Sequence, residues 1–281
     1  MEIKINKPKE VYDKLIRDGF CVIRNVLQND ILTDLRLATE KLLSQQTEDE
    51  RTDHRSSGSM ISVYSHSIFS ELVVYPRVLQ TLEALGFLRP KWSSGYVISK
   101  PPKSPPLFWH QDWWGWNDPS SYTPLPQQLF LMYYLVDTTP YNGCLRVISG
   151  SHLKRHKLHD ILPNAHTQEL QRVDNPNHPA YQEYPDEEDI SVNAGDLVIG
   201  DSRLLHASHG NQSGEDRTVI TLWYHPYFDL LPSGMRAHIG RLRQSNAWTD
   251  ADWERISELA PIYNGETEPI KWNRSPGPQL K

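Results

Sequence analysis

Apolar positions in the first third of the chain recur at helical spacing. After Pro8, which suits the first turn of a helix, Val11, Tyr12, Leu15 and Ile16 form one stripe, and Asp18-Gly19 ends it. FCVIRNVL, residues 20–27, then reads as a strand. Asn29 is placed to cap a second helix, in which Ile31, Leu32, Leu35, Ala38, Leu42 and Leu43 share a face. The stretch from Gln45 to Gly58 is polar without a period and predicts an exposed loop. Pro76 to Leu85 predicts another short helix before Gly86.

From about residue 90 the pattern changes. GYVISK, PLFWHQD, QLFLMYYLV, CLRVIS, DLVIGD and RTVITLWYH are short β-rich runs between clusters of Pro, Gly, Asn and Asp. Such spacing predicts a sandwich or barrel. The runs do not alternate with long helices, which argues against a Rossmann-like sheet. Lys154 to Glu188 is polar and rich in His, Asn and Pro, and reads as an insertion able to cover one end of the sheet. Thr249 and Asp252 predict the cap of a short helix ending before Pro261, and Tyr263 to Lys281 reads as irregular. With no repeat and no linker, the expectation is one unit over 1–281. It comprises a mainly helical part (1–89), a barrel core (90–228), and C-terminal helices with a tail (229–281).

Composition narrows the classes. A formal net charge of −6 argues against a general nucleic-acid binder, which would carry a basic face. No apolar run approaches the roughly 18 residues of a membrane span. The segment MEIKINKPKEVYDKL lacks the apolar centre of a signal peptide. Cys21 and Cys144 both sit in apolar runs and read as reduced core residues. These features predict a cytoplasmic enzyme acting on a small molecule, and leave its oligomeric state open.

The chemistry concentrates at Trp109-His110-Gln111-Asp112. On a strand, His110 and Asp112 point to the same side, so an imidazole and a carboxylate meet at one place. A His-x-Asp pair alone is weak. HASHGNQSGEDR, from His206 to Arg217, follows one apolar strand and opens another. A distal histidine there completes two histidines and a carboxylate on one face of an octahedral metal, the layout of non-haem iron(II) oxygenases. Zinc accepts the same ligands, which leaves a metal-dependent hydrolase, or a catalytically silent binding protein, as alternatives. Arg217 adds a planar fork suited to a carboxylate.

Four blocks resemble the phytanoyl-CoA dioxygenase family of iron(II)- and 2-oxoglutarate-dependent oxygenases. They are ISKPPKSPPLFWHQD, YNGCLRVISGSH (141–152, with Ser149 where the family usually has Pro), Ala194-Gly195-Asp196, and the set His206, Ser208, Asn211, Ser213 and Arg217. They stand in the family's order and run from DGFCVIRNVL to about Pro226. The resemblance implies a mainly β fold with flanking helices, the double-stranded β-helix or jelly-roll barrel of cupin type. It implies that His110, Asp112 and His206 hold iron(II), that Arg217 binds the distal carboxylate of 2-oxoglutarate and that Ser208 assists. With O2 the implied reaction releases succinate and CO2 and hydroxylates an unactivated C–H bond. Halogenating relatives have a small residue where Asp112 stands, which favours hydroxylation here.

Other residues admit two readings. His209 rivals His206, but the step to Arg217 favours His206. His152 reads as a structural hydrogen-bonding residue, and His156, His159, His166 and His178 as solvated. Trp113, Trp114 and Trp116 form either packing or an aromatic substrate wall, to which a cation could bind; Gln111 and Asn117 are weaker polar contacts. If Arg217 faces inward, so do Val219, Thr221 and Trp223. QLFLMYYL turns inward either Gln128, Phe130, Met132 and Tyr134 or the alternate set; the family resemblance implies the former, with Tyr134 or Gln128 near 2-oxoglutarate. Lys100, Lys103, Arg146 and Arg203 read as surface charges, of which Lys100, Arg146 and Arg203 could also reach an acidic substrate.

Overall fold

The computed structural model describes residues 6–162, 166–241 and 247–281; the extreme N-terminus read above lies partly outside them. Helix α1 (Pro8–Asp18) leads into β1 (Phe20–Ile23), α2 (Asn29–Ser44), α3 (Glu48–Asp53) and β2 (Ile61–Ser62). Helices α4 (Ile68–Val73) and α5 (Pro76–Ala84) precede β3 (Lys91–Lys100), β4 (Leu107–His110), β5 (Leu129–Tyr134) and β6 (Leu145–Ile148). Then come α6 (Leu158–Ile161), α7 (Gln168–Arg172), β7 (Glu187–Ile190), β8 (Leu197–Asp201), β9 (His206–Ser208), β10 (Arg217–His225), α8 (Ser233–Ile239) and α9 (Asp250–Arg255).

The strands form two antiparallel sheets, ordered β1-β8-β5-β10-β3-β2 and β4-β9-β6-β7. Their inner faces meet: Phe130, Met132, Tyr134, Val198 and Val219 of the larger sheet pack with Leu145, Val147 and Ile190 of the smaller. This is a jelly-roll barrel with flanking helices. Alternation explains the sidedness of β5. Its even residues face the barrel interior, whereas Leu129, Leu131 and Tyr133 join Leu15, Leu35, Phe69 and Leu82 beneath the helices. The outer face of the smaller sheet is covered by the insertion, through Leu158, Leu170 and Tyr181.

Local chemistry sets the ends of these elements. Gly19 stops α1 at φ 88°, where its N–H reaches the Leu15 carbonyl. Asp196 accepts from Arg24 Nη1, Asn25 N and Asn193 N, and so ties the end of β1 to the turn before β8. Asn211 shapes the β9–β10 turn by donating to the carbonyls of Lys100 and Glu215.

Several boundaries differ from expectation. Asn29 is the first residue of α2, and the capping position is Gln28, which makes no side-chain cap. The polar stretch 45–58 is not simply an exposed loop. Thr47 and Glu50 form a capping box that starts α3, and Ser56 and Ser57 behind it are buried. Strand β4 stops at His110, so Asp112 lies just beyond it and is placed by its own N–H to the Ser202 carbonyl, at 2.9 Å. The C-terminal tail is irregular, yet Leu280 is buried and Asn273 bridges to Gly115. No helix among the described residues is long and apolar enough to cross a membrane.

Candidate metal centre

Strands β4 and β9 pair with His110 opposite His206, which brings two imidazoles side by side with ring centroids 4.1 Å apart. His110 donates from Nδ1 to the Phe108 carbonyl at 2.9 Å, and His206 from Nδ1 to the Leu204 carbonyl at 3.0 Å. Each therefore keeps the Nε2 lone pair free, the tautomer a metal needs. Asp112 Oδ1 lies 3.6 Å from His110 Nε2 and Oδ2 lies 3.8 Å from His206 Nε2. The three residues can hold one ion on three donors. Burial pushes the His110 imidazole down to about 3, with His206 adding to it, so it is neutral as a ligand should be.

A cavity of about 730 Å³, counting its open mouth, extends from the triad to Arg217 and Ser208. Arg217 points its Nη2 at Ser208 Oγ, 3.4 Å away, while its Nε is buried without a hydrogen-bond partner. That unpaired donor matches a carboxylate end of a diacid whose other end meets the metal. Tyr134 and Met132 line the same space, as do Val219, Thr221 and Trp223. Lys100 belongs to this region as well, and is not a surface charge. It is fully buried, and its Nζ donates to the carbonyls of Ser56 and Pro105. Burial, and then the neighbouring Arg217, hold its pKa well below that of an ordinary lysine.

The chain matches the family described as phytanoyl-CoA dioxygenase (PhyH) over residues 15–219. It belongs to the phytanoyl-CoA dioxygenase family. It is accordingly a dioxygenase, with iron(II) and 2-oxoglutarate as its cofactors. Among related proteins, the ectoine dioxygenase of Nocardia farcinica is 25% identical over 230 residues, 73% of this chain and 74% of that protein. Phytanoyl-CoA dioxygenase 1 of Oryza sativa subsp. japonica is 29% identical over 159 residues, 55% of this chain and 52% of that one. The fold is shared with HygX from Streptomyces hygroscopicus, solved with nickel and 2-oxoglutarate bound. There the TM-score is 0.59 and identity 18%, covering 80% of this chain and 89% of that one. It is shared too with the epimerase SnoN, in complex with Fe3+, alpha ketoglutarate and nogalamycin RO. In that case the TM-score is 0.57 and identity 19%, covering 78% and 83%.

This dioxygenase distributes its other candidate residues unevenly. Gln128, expected near 2-oxoglutarate, lines a second chamber instead, with its Nε2 3.4 Å from His225 Nε2. Trp113 and Trp116 are buried in a cluster with Phe228, Leu231, Met235 and Leu280; they pack the barrel end against the tail and are absent from the cavity walls. Trp114 and Trp223 do line the second chamber. Gln111 donates to the Arg203 carbonyl, and Asn117 accepts from Asn273. Arg146 and Arg203 are buried and paired with Glu187 and Asp201, so neither faces a substrate. His209 bonds Asp189 at 2.6 Å, away from the triad, and His152 donates to the Ile16 carbonyl.

Three contributors escaped the sequence reading. His166, taken as solvated, lines both chambers with its ring 4.8 Å from that of His110 and its Nε2 unpartnered. His159 is buried against Gln111. Arg274, on the irregular tail, lines the second chamber beside Trp272. All three sit outside any periodic pattern, on the insertion or the tail, so no spacing signalled them.

Proposed function

We propose that this dioxygenase hydroxylates an unactivated C–H bond of a small organic substrate, with His110, Asp112 and His206 as the iron ligands and Arg217, helped by Ser208, as the anchor of 2-oxoglutarate. The observation that carries this reading is the single buried line from the paired Nε2 atoms, past Asp112, to the unpartnered Nε of Arg217. Iron with 2-oxoglutarate supplies the oxidation, driven by decarboxylation of the cosubstrate to succinate.

The chain's own residues do the rest. The two backbone-bonded imidazoles hold a fixed ligand face. Arg217 orients the diacid, and Met132, Val219 and Tyr134 exclude water from around it. The second chamber, about 1290 Å³ with its open mouth, meets the first at Asp112, Trp223, His166 and Met60 and offers the place for the substrate. A carboxylate at position 112 fills the ligand place that halogenating relatives leave to halide, which favours hydroxylation.

The test is a substrate screen with iron(II), 2-oxoglutarate and ascorbate. It should yield succinate together with a product heavier by one oxygen atom. Asp112→Ala should abolish both. A product of unchanged mass, or full hydroxylation by the variant, would refute the assignment.

A further inference from the structure

The second chamber has a charge pattern of its own. Among its described lining residues the cations are Arg241, at the exposed rim, and Arg274, half-buried further in. The only carboxylate there is Asp112, which the reading above commits to iron. Among the described lining residues a cationic substrate would find no free acid to pair with.

The aromatic surfaces point the same way. Trp114 stacks with Trp272 at 6.0 Å between centroids, and the Arg274 guanidinium sits over Trp272 at 4.9 Å. The Trp272 indole N–H donates to His238 Nε2 at 2.7 Å, which fixes the stack. One face of Trp272 is therefore already taken by an arginine of the chain itself. That stacking positions the guanidinium but uses none of its five N–H donors. Among the described residues Arg274 has no hydrogen bond and no ion pair, and even Asp112 lies beyond ion-pair distance. Arg274 lines a small further cavity together with His110, which puts it close to the metal centre as well as in the second chamber. Arg274 also falls outside residues 15–219, the part shared with the family.

We propose that the second chamber selects an organic oxyanion with a planar body, its carboxylate held by the Arg274 fork and its ring laid among Tyr96, Trp114 and Trp223. The proposal builds on the oxygenase reading. That reading assigns Arg217 to 2-oxoglutarate, which leaves Arg274 as the acid receptor for the substrate. Arg274 is then a specificity-determining residue, with Trp272 as its support.

The test uses the full chain loaded with iron(II) and 2-oxoglutarate, without oxygen, so that Arg217 is occupied. Benzoate, benzamide and benzylamine are titrated against tryptophan fluorescence as isosteric probes. Benzoate should bind about tenfold or more tightly than benzamide, the gain expected of a charge-assisted pair, and benzylamine more weakly than either. Arg274→Gln should bring benzoate to the benzamide value, and Arg274→Lys should restore part of the preference. Equal binding of acid and amide, or an unchanged preference in Arg274→Gln, would overturn the proposal. So would loss of iron affinity in that variant with no change in preference, because Arg274 would then serve Asp112 alone. A protein that fails to bind 2-oxoglutarate yet prefers benzoate through Arg274 would sink the oxygenase reading and spare this one.

Discussion

Trp223 donates its indole N–H to Asp112 Oδ2 at 2.9 Å, which joins the wall of the second chamber to the carboxylate of the candidate metal centre. Without this bond the carboxylate, sitting beyond the end of β4, could rotate away from the two histidines. Hydrogen bonds to ligand groups of this kind change metal affinity by roughly 10–100-fold. Trp223→Phe keeps the ring and removes the donor. Its iron(II) affinity, measured by anaerobic titration, should fall by about that factor, and an unchanged affinity would show that Asp112 is oriented by something else.

Arg217 gives a second prediction. Its guanidinium is buried near Lys100, and among the described residues no carboxylate pairs with it. Such an arrangement is costly unless an acid arrives. Loss of a charge-assisted hydrogen bond costs about 1.5–3 kcal/mol. Arg217→Gln should therefore raise KM for 2-oxoglutarate by roughly 10–100-fold, read from succinate release. Arg217→Lys should recover only part, because an ammonium lacks the fork. Ser208→Ala, which removes one neutral hydroxyl, should change KM by only a few-fold.

The sequence made the candidate metal centre legible and the chamber around it far less so. His110, Asp112, His206 and Arg217 could be found because their chemistry demands particular residue types at fixed separations on strands. Even there the reason was incomplete: alternation along one strand was invoked for Asp112, whereas its backbone bond to Ser202 places it. Alternation along β5 left either face open and the family pattern chose the even one, which holds for Phe130, Met132 and Tyr134. Ser56 to Gly58 read as solvent-exposed because they end a polar stretch. They are carried inward by Gly58, whose φ of 93° and close approach to the Ser99 carbonyl leave no room for a side chain. Trp113 and Trp116 stand next to the metal motif in sequence, but their burial depends on α8 and the tail, far along the chain. Adjacency in sequence carried no information about that.

A third prediction concerns packing behind the metal. Gly200 on β8 faces Phe130 on β5, and a Cβ at Gly200 would come within 2.0 Å of the Phe130 ring. Phe130 in turn lies 4.9 Å from the His206 ring. Gly200→Ala should push Phe130 onto His206, at an overpacking cost of about 1–3 kcal/mol, and weaken iron binding. Adding Phe130→Leu should restore both properties. A double-mutant cycle on thermal stability and iron affinity measures the coupling, and simple additivity would refute the route through Phe130.

The last prediction is about acid stability. Asp252 on α9 is buried, which by itself would raise its pKa. Ser67 Oγ and Ser70 Oγ each donate to it at 2.7 Å, as does Thr249 N at 2.8 Å, and together they hold the carboxyl below the usual range. The charged form is thus favoured by folding. Its stabilising contribution is full above the unfolded carboxyl pKa of about 4 and is lost as pH falls toward the lower folded value. Asp252→Asn should be less stable than the parent by roughly 2 kcal/mol at neutral pH. In urea unfolding at a series of pH values that gap should narrow once the pH drops below about 4. A gap that stayed constant down to strongly acidic pH would mean that shape, not charge, fastens α9 to α4.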